Sequence, residues 1–163
     1  MRRAALLPLL LLAACAAPER AAPLPQADFV LIDKSERALT LFAGGRAIKT
    51  YAGLQFGGAA LGHKRFEGDE RTPEGRYTID TRNPASAYRL SLRVSYPNAA
   101  DRAYAEARGR SPGGDIFIHG QPNWLPVGRL PGDWTDGCIA LANAEIEEVW
   151  RLVPDGTAIE IRP

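Results

Sequence analysis

Apolar residues in this chain recur mainly at every second position, in short runs broken by turn-forming residues, the pattern of a strand-rich domain. Phe29 to Asp33 is an apolar run of buried-strand type, and Leu39 and Leu41 share one face of Arg37 to Phe42. Gly44-Gly45 reads as a hairpin turn into a strand over Ala47 to Ala52. Farther along, Tyr77 and Ile79, then Leu90, Leu92 and Val94, then Ile116 and Ile118, and near the end Ile159 and Ile161 keep the same alternation. The sheet is expected to be mostly antiparallel or mixed, with one face on the core.

Two segments change to helical spacing. Asn98 to Arg108 places Ala100, Ala103, Tyr104 and Ala107 on one stripe, with Asn98 as cap and Gly109 as stop. A second helix, with Asn143 as its expected cap, carries Glu145, Glu147 and Glu148 in its early turns and a stripe of Ile146, Val149, Trp150 and Val153, and ends at Pro154. The Gly-rich connections 53–75 and 120–137 remain as functional loops. The expectation is one mainly β domain with two short helices.

The first residues lie outside this pattern. Arg2 and Arg3 precede an apolar run from Ala4 to Ala14, shorter than the roughly 20 residues needed to span a bilayer and suited to a signal-peptide core. The run ends in Leu12-Ala13-Ala14-Cys15, which resembles a bacterial lipobox, in which the Cys is lipidated and becomes the first mature residue. The competing reading is cleavage near an Ala-x-Ala site, with Cys15 incidental. The expected organisation is a signal peptide over 1–14, a lipidated Cys15 with a Pro/Ala-rich tether over 15–27, and a folded domain over 28–163. Ala16 after the Cys resembles anchors retained at the outer membrane, so an exported protein on the periplasmic face of the envelope is expected.

Composition narrows the function classes. With 20 Lys+Arg against 19 Asp+Glu and a net charge of +1, nothing favours nucleic acid as a partner. Two His and two Cys, far apart, make no zinc-finger spacing. His63 and Glu67 taken with His119 lack a His-Glu-x-x-His pattern, so no metal is expected.

The informative stretch is Asp115 to Leu141. His119 ends one strand and Cys138 begins another, with flanking glycines that permit sharp turns and close approach of a substrate. An imidazole beside a thiol can take its proton and later return it to a leaving amine. Backbone N–H groups around Gly137 and Cys138 suit an oxyanion hole. A catalytic thiol is expected to have a pKa below the free value of about 8.5. Spacing alone leaves open the alternative of a small buried Cys and a merely hydrogen-bonded His.

His119-Gly120, a loop, then Thr135-Asp136-Gly137-Cys138-Ile139 resembles the signature of the L,D-transpeptidase catalytic domain, the YkuD-type domain. Arg71-Thr72-Pro73-Glu74-Gly75-Arg76-Tyr77 resembles that family's Thr-Pro-x-Gly turn entering a strand, and the resemblance covers about residues 28–162. It implies a β-sandwich or mixed-sheet domain in which Cys138 is the acyl-accepting nucleophile, His119 the general base, the Gly120 carbonyl the group that orients the His, and Gly137 part of the oxyanion site. Thr135, Asp136, Arg71 and Lys64 are the implied substrate contacts. No cofactor is implied, and the partners are peptidoglycan stem peptides and an envelope lipoprotein lysine. Trp124 and Trp134 are expected either to form a lid or to pack.

The chain departs from the common family pattern at Ala140, where Arg or Asn is usual, and at Asp136, where many members have His. The first departure bears on donor binding and acceptor choice. The turn Gly68 to Pro73 resembles a sub-branch that includes an amidase detaching lipoprotein from peptidoglycan. Transfer to an amine acceptor is therefore the leading expectation, hydrolysis of stem or lipoprotein linkages stands beside it, and an inert cell-wall-binding lipoprotein is the reading from another class.

Overall fold

Strands β1 (Phe29–Asp33), β2 (Ala38–Ala43) and β3 (Arg46–Ala52) form an antiparallel meander in the computed structural model, which describes residues 24–163. Its second turn has positive φ at both Gly44 and Gly45, the backbone that a right-twisted two-residue hairpin requires. β8 (Ala158–Arg162) returns parallel to β1 and pairs antiparallel with the first half of β4 (Gly75–Asn83). The second half of β4 pairs with β5 (Ser91–Val94), after a register shift between Ile79 and Thr81 that bends the strand. β6 (Phe117–His119) and β7 (Ile139–Ala140) complete one eight-stranded curled mixed sheet ordered β3-β2-β1-β8-β4-β5-β6-β7. The predicted mainly β, mixed-sheet architecture is thus the one observed.

The core lies between this curled sheet and helix α2 (Asn143–Leu152), whose buried Ile146, Val149 and Leu152 join Leu92, Ile118, Ile139 and Ile159 in one apolar cluster. Each such aliphatic side chain contributes about 1.5–3 kcal/mol by leaving water. Helix α1 (Ala99–Glu106) sits at the periphery, capped by Asn98, whose Oδ1 accepts the N–H groups of Ala100 and Asp101.

Three local expectations are corrected. In α1 the predicted stripe of Ala100, Ala103, Tyr104 and Ala107 is not the buried one; Asp101 and Ala105 face inward. The rotation follows from the Asp101 carboxylate, which accepts from Asn98 N–H, Tyr77 O–H and His63 Nε2. Asn143 is the first residue of α2 rather than its cap; Ala142 takes that place, with its N–H donated to Glu145. Ala27, assigned to the tether, is buried and donates its N–H to Leu152 O at 2.7 Å, so the fold begins before residue 28. The expected signal peptide and Cys15 lie outside the described residues.

Candidate active site

The parallel pairing of β6 with β7 sets His119 opposite Ala140, and Leu141 N–H donates to His119 O at 2.9 Å. His119 therefore ends one strand beside the point where Cys138 enters the next. Both line one cavity of about 490 Å³, together with Tyr88, Asp115, Phe117, Trp134, Thr135 and Asp136.

His119 is 4% exposed, and its Nδ1 lies 2.7 Å from the carbonyl oxygen of Gly120. A carbonyl only accepts, so Nδ1 carries the proton, and the neutral ring keeps its lone pair on Nε2. Burial pushes the imidazole pKa below its ordinary value, opposed by the hydrogen bond to Gly120. Gly120 permits this arrangement because a Cβ there would lie 2.7 Å from Asn143 Oδ1 and 2.9 Å from both Arg89 Cβ and Ile146 Cγ2.

The Cys138 thiol is half-buried and rests between Asp115 O and Phe117 N–H, each 3.4 Å from Sγ. Burial pushes its pKa up, and the nearby Asp136 and Asp115 carboxylates act in the same direction, against the Phe117 N–H and the Lys64 ammonium. The expectation of a thiol pKa below the free value is corrected by the depth of the site. Both shifts favour the uncharged forms of thiol and imidazole.

The turn before Cys138 is fixed from several sides. Thr135 Oγ1 donates to Cys138 O at 2.8 Å and faces Gly137 N at 3.3 Å. Thr72 of the Thr-Pro-x-Gly turn is fully buried and donates its hydroxyl to Gly137 O at 2.9 Å. Gly137 has φ +117, and a Cβ there would stand 2.4 Å from Arg71 O, so glycine is required at this crossing.

Of the implied substrate contacts, Thr135 and Asp136 line the cavity, while Arg71 and Lys64 do not. Lys64 is buried, with Nζ 2.9 Å from Asp69 Oδ1 and 3.1 Å from Phe66 O, and Asp69 also accepts the N–H groups of Arg65, Phe66 and Arg71. Lys64 thus holds the 64–71 turn together. His63 is engaged elsewhere: Nδ1 accepts the Glu74 N–H and Nε2 faces Asp101. Ala140 is fully buried in a two-way backbone bridge with Gln55. Trp134 stands in the cavity wall, whereas Trp124 is 72% exposed on the connecting loop.

Sequence reading missed Tyr88, Gln55 and Gln121. Tyr88 stacks on His119 with ring centroids 4.7 Å apart. Gln121 is fully buried; its Nε2 donates to Gln55 Oε1 and Leu141 O, and its Oε1 accepts Leu130 N–H. A buried amide immediately after His119-Gly120 was the one legible hint of that network.

A model of the L,D-transpeptidase catalytic domain (YkuD) matches residues 27–161. The chain belongs to this family. It is 28% identical over 131 residues to YafK of Escherichia coli K12, covering 77% of this chain and 46% of that protein. The chain therefore spans about half the length of the curated relatives it matches. Among solved structures it resembles the helical cell shape determining protein Pgp2 of Campylobacter jejuni, with TM-score 0.66 and 28% identity over 84% of this chain and 48% of that one. Bd1075 of Bdellovibrio bacteriovorus gives 0.57 and 26% over 85% of this chain and 48% of that one. An L,D-transpeptidase from Mycobacterium smegmatis, at 15% identity and TM-score 0.55 over 84% of this chain and 59% of that one, shares the fold.

Proposed function

We propose that this domain is a cysteine acyltransferase that acts on peptidoglycan stem peptides, with Cys138 as nucleophile and His119 as proton carrier. The observation that carries the reading is the pairing of thiol and imidazole on one cavity wall, with Nδ1 tied to Gly120 O and Nε2 left as the base. Membership of the L,D-transpeptidase family and the likeness to a cell shape determining protein support it.

In the reaction, His119 Nε2 takes the Cys138 proton as sulfur attacks an amide carbonyl of the stem. Burial favours the uncharged form of each group, so in this reading proton transfer accompanies bond formation. The amide C–N bond breaks, the leaving amine takes the proton from His119, and a thioester remains on Cys138. An acceptor amine then attacks the thioester, gives its proton to Nε2, and the sulfur leaves and is reprotonated. The Gly137 N–H faces Thr135 Oγ1 at 3.3 Å and would serve the oxyanion by exchanging that long bond.

The test is mass spectrometry of defined tetrapeptide muropeptides incubated with the purified protein and with a Cys138→Ala control. Cross-linked dimers absent from the control are the expected result. Tripeptide without dimers would make water the acceptor, and no change with either an amine or a lipoprotein lysine supplied would overturn the reading.

The reading extends to the envelope. Residues 1–14 act as a signal peptide, and Cys15 carries a lipid that holds the domain at the periplasmic face. Cys15→Ser should release the protein from the membrane fraction, and unchanged fractionation would remove the anchor from the proposal.

A further inference from the structure

His119 is enclosed by two aromatic rings that the acyl-transfer chemistry itself does not use. Tyr88 lies over the imidazole at 4.7 Å and 34°, Trp134 meets it at 5.6 Å and 63°, and the two aromatics stand 5.7 Å apart. We infer that Tyr88 and Trp134 are positioning residues that hold the His119 ring with Nε2 toward Cys138 and shield it from water, and that Gln55 fixes Trp134 in that role. The inference rests on the proposed function for its kinetic consequences, but its geometry stands apart from it.

Each ring is locked by its own backbone. Tyr88 O accepts the N–H of Gly120 at 3.0 Å, and Gly120 is the residue whose carbonyl holds Nδ1. One residue on, Arg89 adopts φ +65 and donates its N–H to Asn123 Oδ1 at 2.8 Å. A left-handed conformation at a non-glycine residue is costly, and here it turns the chain so that Tyr88 faces the imidazole. On the other side, the Trp134 and Thr135 N–H groups both donate to Phe56 O at 3.0 Å. The indole N–H donates to Gln55 Oε1 at 3.3 Å, while Gln55 Nε2 donates to Leu130 O and Gly132 O. Gln55 also exchanges backbone hydrogen bonds with Ala140 in the strand that follows Cys138. One amide side chain thus ties the wall of the base to the strand of the thiol.

The titratable groups facing this space are Cys138, Asp115, Asp136 and the Tyr88 phenol, with no lysine or arginine in the cavity wall among the described residues. Removing a ring admits water to the imidazole, and relief of desolvation raises its pKa.

The experiment follows the His119 ring by NMR and the pH dependence of kcat/KM in the full chain and its variants. In Tyr88→Leu the His119 titration should move up by about one pH unit, the acid limb of kcat/KM should move with it, and kcat should fall more than KM rises. Tyr88→Phe, which keeps the ring, should restore all three. Trp134→Phe should keep the ring contact but lose the tie to Gln55, giving a mixture of Nδ1–H and Nε2–H tautomers; it carries the test if Tyr88→Leu does not fold. A His119 titration and tautomer unchanged in the folded variants, with only KM raised, would make these rings substrate contacts and overturn the inference. If no variant or parent shows acyl transfer, the NMR shifts still decide the positioning role, while the proposed function falls by itself.

Discussion

Arg37 and Asp133 meet in a two-pronged ion pair, with Nη1 2.8 Å from Oδ1 and Nη2 2.7 Å from Oδ2. The same Nη1 donates to Leu54 O, and Asp133 Oδ1 accepts the Phe56 N–H at 2.9 Å. The pair clamps the loop that leads into Thr135 and Cys138 onto the turn between β1 and β2. Arg37 itself adopts φ +50, a backbone conformation that this clamp helps to retain.

Asp133→Asn should cost about 1–2 kcal/mol, less than a buried pair because the Arg37 head is partly solvated. The guanidinium of Arg37 holds the Asp133 carboxyl below its ordinary pKa. Stability from this group is therefore complete above the unfolded carboxylate pKa and is lost as pH falls through the lower folded value. Chemical denaturation of protein and variant should show a gap at pH 7 that narrows steadily on acidification below pH 4. A gap independent of pH would assign the effect to the neutral hydrogen bonds.

The resting state of the thiol makes a second prediction. Burial raises the Cys138 pKa and lowers that of His119, and both shifts disfavour a thiolate–imidazolium pair. Alkylation of Cys138 by iodoacetamide should be slow at pH 7 and rise with a midpoint above the ordinary thiol value of about 8.5. Acyl transfer, in contrast, should already be active above the lowered His119 pKa, because it needs a neutral base rather than a preformed thiolate. An alkylation midpoint well below 8 would show that the ion pair forms and that proton transfer precedes attack.

How much of this was legible before the structure depends on how local each determinant is. His119 and Cys138 stand out because glycines flank them in a short stretch of sequence, and the strands carrying them keep a period of two. The inward place of Asp101 and the true position of Asn143 escape a local reading because their partners, His63 and Tyr77 in one case and Gln121 N–H and Leu125 O in the other, come from other elements. Lys64 reads as a substrate-facing charge until Asp69 folds back onto it. Tyr88 carried no signal, since its place over His119 is set by the Arg89 backbone N–H, which donates to the Asn123 side chain 34 positions away. The direction of the thiol pKa was also inaccessible, because its largest cause is depth in the fold.

Glycine substitutions separate steric necessity from backbone preference. Gly137→Ala places a methyl 2.4 Å from Arg71 O at φ +117, where nothing but main chain can yield. The cost should be about 3 kcal/mol or more, with loss of activity even where the protein folds. Gly128 has φ +89 but open space around it, so Gly128→Ala should cost about 1 kcal/mol and leave turnover intact. Equal losses in denaturation midpoints would mean that the close approach of Gly137 to the Arg71 carbonyl does not matter.

Thr72 joins the two sequence motifs, because its fully buried hydroxyl ends on the Gly137 carbonyl 65 positions along the chain. Thr72→Val keeps the shape, removes the donor and leaves a buried carbonyl unpaired, which should cost about 1–2 kcal/mol. The peptide plane that this bond orients is the one linking Gly137 to Cys138, so its loss acts on the setting of the thiol as well as on stability. Turnover should fall with KM little changed, and Thr72→Ser, which retains the hydroxyl, should recover most of it. If Thr72→Val loses stability to the stated extent but keeps kcat, the bond serves the fold alone, and the orientation of Cys138 comes from Thr135, whose own hydroxyl grips the Cys138 carbonyl at 2.8 Å.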